Sequence, residues 1–258
     1  MIKVAVTGAA GRMGRLIVKN VVEDEELELV QAFDVVNVGK DAGELAGVGK
    51  IHVPITHASE LELKLSSDVL VDFTTAEAAV NNICVAAKKG VKLVVGTTGF
   101  TEEHWKKIKD CCRVPAVISP NFSVGVNVFW EIIRVAAKML SNYDVEVLEM
   151  HHRFKKDAPS GTALKAVEII KEVIGDRETV TGRSGICPRS DEIGVFAIRG
   201  GDVVGEHTVF FIGMGERMEI THRAWSRQAF AGGAIKAVKW ISKVEDPGIY
   251  GMRDVLGI

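Results

Sequence analysis

Residues 2–17, IKVAVTGAAGRMGRLI, decide the fold of the first half of the chain. An apolar run from Ile2 to Val6 is followed by a glycine-rich turn, and apolar residues then recur at helical spacing, as the intervals between Met13, Leu16 and Ile17 show. This order predicts a strand, a tight turn and a helix. A second strand over Leu27–Phe33 completes a β-α-β unit of the usual length.

Strands and helices continue to alternate through about residue 122. Val69–Phe73, Val91–Val95 and Ala116–Ser119 are short, nearly continuous apolar runs, which are typical of strands buried on both faces of a parallel sheet. Helical patterns over Ala76–Lys89 and Thr101–Cys112 lie between them. The chain is therefore predicted to be an α/β protein whose N-terminal domain is a Rossmann-type, doubly wound parallel sheet.

The second half has a different pattern. Helices are predicted near 124–140 and 162–173, whereas Asp144–Met150 and most of 194–224 alternate polar and apolar residues as half-buried strands do. We expect an α+β domain with a mixed or antiparallel sheet over 124–228, and a dinucleotide-binding domain over 1–123 and 229–258, to which a helix near 228–242 returns. Because so few helices cannot cover both faces of long strands, another subunit is expected on the open face.

The composition excludes several classes of protein. With 32 Lys and Arg against 34 Asp and Glu, the formal net charge is −2, which favours neither nucleic acid nor an anionic membrane as a partner. The N-terminal apolar run is too short for an export signal, and no apolar stretch reaches the roughly 18 residues of a membrane span. We expect a soluble cytoplasmic protein with reduced thiols at all four cysteines, which are Cys84, Cys111, Cys112 and Cys187.

The glycine turn has the features of a dinucleotide site. Gly8 permits the tight turn, Gly11 allows the backbone to approach a pyrophosphate, and Gly14 lets the helix pack close to the sheet. The helix N-terminus would present N–H groups and a positive dipole to the phosphates. The spacing is G-x-x-G-x-x-G rather than G-x-G-x-x-G, so a glycine turn without a ligand is the alternative. We predict a nicotinamide dinucleotide as cofactor.

Asp34, at the end of the second strand, is placed to accept hydrogen bonds from the adenosine ribose hydroxyls. A carboxylate there would repel the 2′-phosphate of NADPH, which favours NADH, although Lys40 could offer a phosphate partner and leaves NADPH possible. Carboxyl ends of parallel strands meet at one edge of a sheet, so residues at later strand ends are further cofactor candidates. These residues are Phe73, Gly96, Thr97, Thr98, Ser119, Pro120, Asn121 and Phe122.

Residues 149–163, EMHHRFKKDAPSGTA, are the densest functional signal. Two histidines, an arginine and two lysines lie between a strand end and a helix start, which suits a small anionic substrate. Ser160 is a candidate helix N-cap, and the amides of Gly161 and Thr162 could bind a carboxylate. His and Lys side chains can both serve as proton donors. The alternative is a solvated basic turn before a normally capped helix.

Other chemistries have little support in the sequence. No H-E-x-x-H motif or cysteine pair accompanies His151 and His152, so we predict no metal. Ser160 lacks the G-x-S-x-G context of a hydrolase nucleophile. The remaining histidines are expected to stand alone and to be structural; they are His52, His57, His104, His207 and His222.

Taken together, these segments resemble the dihydrodipicolinate reductase family, also called 4-hydroxy-tetrahydrodipicolinate reductase. The resemblance spans nearly the whole chain, and its most specific part is E-x-HHR-x-K-x-DAPSGTA over 149–163. It also includes VAVTGAAGRMGR (4–15), DAGELAG (41–47), VDFT (71–74), GTTGF (96–100), NFSVGVN (121–127), RGGDVVGEHTV (199–209), GERMEITHRA (215–224) and MRDVL (252–256).

The resemblance implies NAD(P)H-dependent reduction of 4-hydroxy-tetrahydrodipicolinate to tetrahydrodipicolinate, with loss of water, in lysine and diaminopimelate biosynthesis. By motif, His151 would be the acid/base residue and Lys155 the proton donor, with Lys155 the first choice and His151 the alternative for delivering the decisive proton. His152, Ser160, Gly161 and Thr162 would bind substrate carboxylates. The implied cofactor contacts add Ala9, Ala10, Arg12 and Met13 to the residues above.

The resemblance also implies a homotetramer joined through the sheets of the second domain. The chain departs from the family pattern at Phe154, where some members have a third histidine, and in lacking an arginine after Asp34. Two rival functions remain open from the sequence. One is a different two-domain dehydrogenase, which would need another catalytic segment such as a reactive cysteine, and the other is a non-catalytic dinucleotide sensor.

Overall fold

A computed structural model describes residues 1–258. The chain folds into two compact units. The first comprises Met1–Val124 and Gln228–Ile258, and the second Gly125–Arg227. None of the helices combines the length and the apolar character that crossing a bilayer would require.

The first unit contains a sheet of seven strands that are all parallel. Its spatial order is β12-β6-β5-β4-β1-β2-β3, so the chain winds outward from β1 in one direction and resumes beside β1 in the other. This is the predicted doubly wound arrangement, and it gathers the carboxyl ends of β1, β2, β4 and β5 at one edge. The strands are β1 (Ile2–Thr7), β2 (Leu27–Asp34), β3 (Ile55–His57), β4 (Val69–Asp72), β5 (Lys92–Val95), β6 (Pro115–Ile118) and β12 (Gly248–Tyr250).

Helices pack on both faces of this sheet, which explains its nearly continuous apolar runs. In β1, Val4 and Val6 join one buried cluster with Ile17, whereas Ala5 joins a second cluster with Leu93. Because both faces of the sheet are buried, Val4, Ala5 and Val6 do not face solvent, and this part of the strand does not alternate between apolar and polar residues. The helices are α1 (Arg12–Val22), α2 (Ala42–Ala46), α3 (Leu61–Lys64), α4 (Ala76–Lys88), α5 (Glu102–Cys111), α8 (Gln228–Ile241) and α9 (Met252–Leu256).

The second unit is built on a mixed sheet of five strands in the order β11-β10-β7-β9-β8. The central strand β7 pairs antiparallel with β10 and parallel with β9. The sheet is therefore mixed, one of the two arrangements predicted. The strands are β7 (Asp144–His151), β8 (Thr179–Val180), β9 (Ile193–Arg199), β10 (Gly205–Gly213) and β11 (Glu216–Ala224), and the helices are α6 (Val124–Met139) and α7 (Gly161–Ile174).

The two faces of this mixed sheet differ in burial. On the inner face, Val147, Val209 and their neighbours pack with α6 and α7 in one buried cluster. On the outer face, Leu148 is half-buried, and Ile198 and Ile212 keep 41% and 36% of their surface exposed. The alternating sequence pattern thus records a sheet that its own helices cover on one side only.

The prediction of reduced thiols at all four cysteines was wrong. Cys84 of α4 and Cys111 of α5 form a disulfide, with their Cα atoms 5.3 Å apart, although 27 residues separate them in sequence. The two helices pack against each other, so their cysteines meet through tertiary packing that no local spacing reveals. Cys112 and Cys187 are free thiols, one buried and one exposed.

Several short elements were not predicted. They are β3, β8 and β12 among the strands and α2, α3 and α9 among the helices, and each spans five residues or fewer. Segments this short carry less than two periods of any hydrophobic pattern, so periodicity cannot identify them. The three short strands extend the edges of the two sheets without changing the architecture.

Candidate active site

The glycine turn of the first unit is shaped by the absence of side chains. Gly8 has a φ of +73°, in the left-handed region, and a Cβ there would lie 2.4 Å from the carbonyl oxygen of Phe73. A Cβ on Gly14 would lie 2.0 Å from the carbonyl oxygen of Gly8. Because Gly14 has no side chain, α1 can lie directly against the end of β1. This is the close helix–strand packing that the sequence predicted for this glycine.

The start of α1 fits a dinucleotide pyrophosphate. Gly11 caps the helix without a side chain, and the first turn contains no acidic residue. A helix N-terminus of this kind presents N–H groups and a positive dipole to an anion. Asp34 lies beside the turn, and its Oδ2 accepts a hydrogen bond from the amide of Ala10 at 2.9 Å. The residues present therefore suit the cofactor class predicted for them.

A buried aspartate that the sequence analysis did not single out connects the strand ends around this turn. Asp72, with no exposed surface, accepts hydrogen bonds from the hydroxyls of Thr7 and Thr97 at 2.7 Å each and of Thr74 at 2.9 Å. The side-chain amide of Asn82 donates a further hydrogen bond at 2.7 Å. One carboxylate thus ties together the carboxyl ends of β1, β4 and β5, where the predicted cofactor residues begin.

The remaining cofactor candidates gather at the same edge of the sheet. Thr97 accepts a hydrogen bond from the amide of Thr74, and the Phe73 ring packs 5.8 Å from that of Phe122. The hydroxyl of Ser119 donates to the carbonyl of Asn121 at 2.9 Å, which shapes the loop after β6. Thr98 and Pro120 are exposed there. Residues from three separate sequence segments therefore form one surface of the first unit.

In the second unit, a completely buried carboxylate organises the basic segment over residues 149–163. Glu149 lies on β7 with no exposed surface, and its Oε2 is 2.6 Å from Nδ1 of His151. Arg199 of β9 binds both carboxylate oxygens, each at 2.7 Å. The amide of Ser160, at the start of α7, donates to Oε1 at 2.9 Å. Two strands and a helix N-terminus thus converge on one side chain.

The charges in this cluster follow from its hydrogen bonds. Burial alone would raise the pKa of Glu149, but the hydrogen bonds from His151 and Arg199 outweigh it and lower the pKa to about 2. The same contact raises the pKa of Arg199 above its ordinary value. Glu149 is therefore an anion and Arg199 a cation throughout the neutral range.

The expectation that His207 and His222 stand alone was wrong. The His207 ring lies 5.2 Å from the His151 ring, and its Nε2 is 3.0 Å from the hydroxyl of Ser160. His222 is the register partner of His207 on β11. Burial, followed by the nearby His151, lowers the pKa of His207 to about 3, so that imidazole is neutral. Strand pairing, rather than sequence proximity, brings these rings together.

The loop between β7 and α7 holds the other predicted substrate and catalytic residues. Lys155 forms an ion pair with Asp157 at 2.9 Å, and this contact lowers the pKa of Asp157. The Nδ1 atom of His152 is buried and has no hydrogen-bond partner in the chain. Arg199 donates to the carbonyl of Asp157 at 2.6 Å and so anchors the loop to β9. Phe154 is 79% exposed, and its ring lies 6.3 Å from the ring of His152.

The start of α7 is capped as predicted. The hydroxyl of Ser160 accepts a hydrogen bond from the amide of Ala163 at 3.3 Å. This hydroxyl also contacts His207, so its bonding capacity is used within the protein. Gly161 is exposed next to it. The helix N-terminus therefore offers its backbone, rather than the serine side chain, to an anionic ligand.

The sequence analysis gave no role to Glu149 or Arg199, although both lie in segments that carry the family resemblance. A signal for Glu149 was present, because residues 145, 147, 149 and 151 share one face of a strand and the first two are valines. A carboxylate on the core-facing side needs a charged partner. Identifying that partner as Arg199, 50 residues away, requires the pairing of β7 with β9.

Comparison with known proteins gives concordant matches over the whole chain. Two family models match: "Dihydrodipicolinate reductase, N-terminus" over residues 2–122, and "Dihydrodipicolinate reductase, C-terminus" over residues 125–256. A 4-hydroxy-tetrahydrodipicolinate reductase of Archaeoglobus fulgidus is 61% identical, covering 98% of this chain and 99% of its own length. One of Methanocaldococcus jannaschii is 54% identical, covering 100% of this chain and 98% of its own length.

A solved structure agrees with these matches. Dipicolinate-bound dihydrodipicolinate reductase from Paenisporosarcina sp. TG-14 is 27% identical, with a TM-score of 0.77, and the alignment covers 97% of this chain and 98% of that chain. The likeness extends over both units of the chain.

Proposed function

The chain belongs to the dihydrodipicolinate reductase family, and we infer that it reduces 4-hydroxy-tetrahydrodipicolinate to tetrahydrodipicolinate in lysine and diaminopimelate biosynthesis. The enzyme is an NAD(P)H-dependent oxidoreductase. One molecule of substrate, one of reduced nicotinamide dinucleotide and one proton give tetrahydrodipicolinate, the oxidised dinucleotide and water. The protein must therefore hold a hydride source, a dicarboxylate and a proton donor.

The observation that carries this function is the convergence of His151, Arg199 and the start of α7 on the buried carboxylate of Glu149. It fixes proton-bearing groups beside an anion-binding helix N-terminus, as the reduction of a small dicarboxylate requires. The unpartnered Nδ1 of His152 fits a hydrogen bond with a substrate carboxylate. Gly161 and Thr162 are proposed to bind the carboxylates through backbone amides, and Ser160 acts by capping the helix.

In the first unit, the glycine turn and the strand-end loops are proposed to bind the cofactor. The bound nicotinamide dinucleotide supplies the hydride. Gly8–Met13 would hold its pyrophosphate at the start of α1, where the amide dipoles are aligned. Residues after β4, β5 and β6 would line the rest of its site, with Asp72 holding the first two of these strand ends in place.

Two side chains of the second unit are proposed to manage protons. Lys155 is the first choice as donor to the ring as negative charge develops on it, and its ion pair with Asp157 holds the ammonium within the loop. His151 is proposed to act as acid and base beside it, with its imidazole fixed by Glu149. A positioned proton donor typically contributes a rate factor of about 10² to 10⁴.

The test of the function is a turnover assay. Loss of NADH absorbance is followed after adding synthesised 4-hydroxy-tetrahydrodipicolinate, with formation of tetrahydrodipicolinate measured in parallel by mass spectrometry. We expect many turnovers per active site. NADH binding without turnover would instead indicate a dinucleotide sensor, and turnover only with a different carbonyl or imine substrate would indicate another dehydrogenase.

We also propose that the enzyme prefers NADH to NADPH. Asp34 ends β2 beside the glycine turn, and its carboxylate accepts amide hydrogen bonds from Ala10, Val35 and Val36 at 2.7–3.2 Å, which fix its charge there. A negative charge at this place opposes a 2′-phosphate. Comparison of kcat/KM for the two cofactors should favour NADH, and Asp34→Ser should narrow the difference. A preference for NADPH above tenfold would refute the role given to Asp34.

A homotetramer joined through the second units is proposed from the outer face of the mixed sheet. Ile198 and Ile212 remain exposed there, beside the half-buried Leu148 and Phe196. Burying apolar surface of this kind favours association. Light scattering should give four times the chain mass, and Ile198→Asp should lower it, whereas Ile186→Asp in the exposed loop before β9 should not. A monomeric wild-type protein would refute the assembly.

We propose a cytoplasmic location, where the nicotinamide dinucleotide pool is used in biosynthesis. Disulfides are rare in the cytosol of mesophiles but occur in intracellular proteins of hyperthermophiles, so the Cys84–Cys111 bond does not contradict it. Fractionation of cells that produce the native protein should recover it with cytosolic markers. Recovery in a secreted or membrane fraction would refute the location.

A further inference from the structure

We propose that Glu149 is a positioning residue that keeps a proton on Nδ1 of His151 and thereby makes Nε2 the nitrogen that exchanges protons during the reaction. The inference rests on the proposed function, since it concerns how His151 acts in it. It also assigns Arg199 the task of holding Glu149 in place. The observations that carry it are the contacts of Glu149 and the surroundings of the two ring nitrogens.

The contacts of Glu149 leave its carboxylate no freedom to rotate. Arg199 binds both oxygens in a fork, and the Ser160 amide donates to Oε1 from a helix start. The remaining capacity of Oε2 is directed at Nδ1 of His151, 2.6 Å away. A deprotonated carboxylate can only accept hydrogen bonds. Nδ1 must therefore be the donor, in both the neutral and the charged imidazole.

The opposite nitrogen, Nε2, faces Gly205 on β10. A Cβ on Gly205 would lie 3.0 Å from Nε2 and 3.3 Å from the adjacent ring carbon of His151. The φ angle of Gly205 lies outside the left-handed region, so the backbone conformation does not require glycine there. The missing side chain instead leaves space beside Nε2. Glu149 fixes one edge of the ring, and Gly205 leaves the other accessible.

Other charged and titratable groups around the ring agree with this assignment. Arg199 comes from β9, His207 from β10 and His222 from β11, while Lys155 and Asp157 come from the loop before α7. Burial lowers the pKa of both His207 and His222, so neither imidazole carries a charge at neutral pH. Arg199 forms an ion pair with Glu149, and Lys155 forms one with Asp157. Of the three imidazoles, His151 is the one whose Nδ1 contacts a carboxylate, since the Nδ1 atoms of His207 and His222 have no hydrogen-bond partner.

The direct test is the tautomer of His151, measured from the nitrogen-15 signals of its imidazole in labelled protein. In the wild type above neutral pH, we expect the proton on Nδ1. In Glu149→Gln, the side-chain amide can donate as well as accept, so the Nε2–H tautomer should become substantially populated. An Nδ1–H tautomer that persists unchanged in Glu149→Gln would overturn the proposal.

Activity gives a second readout. Glu149→Gln should lower kcat about 10- to 100-fold with little change in the Kd of NADH. The matched control is Glu146→Gln on the same strand, whose side chain pairs with Arg183 on the other face of the sheet. An equal loss of kcat in the control would count against a special role for Glu149.

A third variant tests the accessible edge of the ring. Gly205→Ala should lower kcat while keeping the Nδ1–H tautomer, because it crowds Nε2 and leaves Glu149 untouched. Gly200→Ala in the preceding turn is its control, since no atom lies within 4 Å of the added Cβ and φ is outside the left-handed region. Full activity in Gly205→Ala would refute Nε2 as the working nitrogen.

Two safeguards keep the outcomes distinct. If Glu149→Gln does not fold because Arg199 is left without a counter-ion, the double variant Glu149→Gln/Arg199→Met removes that charge, and the same tautomer change is expected. Failure of the proposed function would appear as absence of turnover in the wild type. Failure of the inference would appear as an unchanged tautomer, which is measured without substrate.

Discussion

The glycine turn of the first unit and the Glu149 cluster of the second are built in opposite ways. The turn lies within residues 8–14 and acts through backbone, since Gly8 has a left-handed φ and Gly14 has no side chain to separate helix from strand. The cluster joins Glu149, Arg199 and His207 from three strands through side-chain contacts. A contiguous backbone motif can be recognised in sequence, whereas a cluster formed across strands depends on register.

Because the two regions are built differently, we expect the glycine turn and the Glu149 cluster to be sensitive to different kinds of substitution. Adding one carbon atom should damage the glycine turn, because backbone atoms cannot move aside. Removing one charge should damage the cluster, because its remaining partner is left buried without compensation. The following experiments test this contrast, from the largest expected effect to the smallest.

The largest effect is expected at Lys155. Lys155→Ala should lower kcat by about two to four decades, the usual share of a general acid, while the Kd of NADH stays nearly constant. Lys156→Ala, which removes the neighbouring exposed lysine, is the control and should change kcat little. Steady-state assays and a fluorescence titration with NADH measure the two quantities. Unchanged turnover would remove Lys155 from the mechanism.

The first unit should lose stability when its disulfide is removed. In the chain-entropy account, closing a loop between residues 27 apart contributes about 3.5 kcal/mol. Cys84→Ser should therefore lower the unfolding temperature of the first unit, seen by calorimetry, with the melting of the second unit unchanged. Cys187→Ser, at an exposed free thiol, is the control. Equal melting of the wild type with and without reductant would mean that the bond does not form.

Acid should weaken the second unit through Glu149. The folded pKa of Glu149 is about 2, below its ordinary 4.5, so its contribution to stability is complete above pH 4.5 and lost as the pH falls toward 2. A shift of this size corresponds to about 3 kcal/mol. Urea unfolding should show a steeper loss between pH 5 and pH 3 in the wild type than in Glu149→Gln. Parallel pH curves for the two proteins would contradict the prediction.

The smallest effect is expected from adding one methyl group at the glycine turn. Gly14→Ala should cost about 1–3 kcal/mol of stability and raise the Kd of NADH, because its Cβ would meet the carbonyl oxygen of Gly8. Gly232→Ala in α8, where nothing lies within 4 Å of the new Cβ, should be neutral or stabilising. Calorimetry and NADH titration compare the two. Wild-type binding by Gly14→Ala would show that the turn adjusts more freely than its geometry implies.

The elements of the first unit were largely predictable because the driving pattern is local. Predicted strands over Leu27–Phe33 and Val69–Phe73 end within one residue of the observed Leu27–Asp34 and Val69–Asp72. Burial on both faces makes these runs apolar throughout, and glycine or polar residues terminate them. By contrast, β12 spans only Gly248–Tyr250 and forms because it pairs with β6. A pattern within three residues cannot predict that pairing.

The candidate site was predictable in part for the same reason. His151, Lys155 and Ser160 share one short segment, so their chemistry could be read together. Arg199 could not be connected with them, because its link to Glu149 spans 50 residues and depends on β7 pairing with β9. The role of Asp72 likewise could not be predicted, because it depends on hydrogen bonds from Thr7 and Thr97, which lie at the ends of neighbouring strands.

By itself, the sequence determined which residues carry chemistry and which segments alternate between strand and helix, because those properties depend on side-chain type and short periodicity. Only the tertiary structure decided that Glu149, rather than solvent, faces His151, that Arg199 neutralises it, and that Cys84 meets Cys111. Register and helix packing arise from the sum of many weak contacts over the whole chain. No single segment of the chain contains that sum.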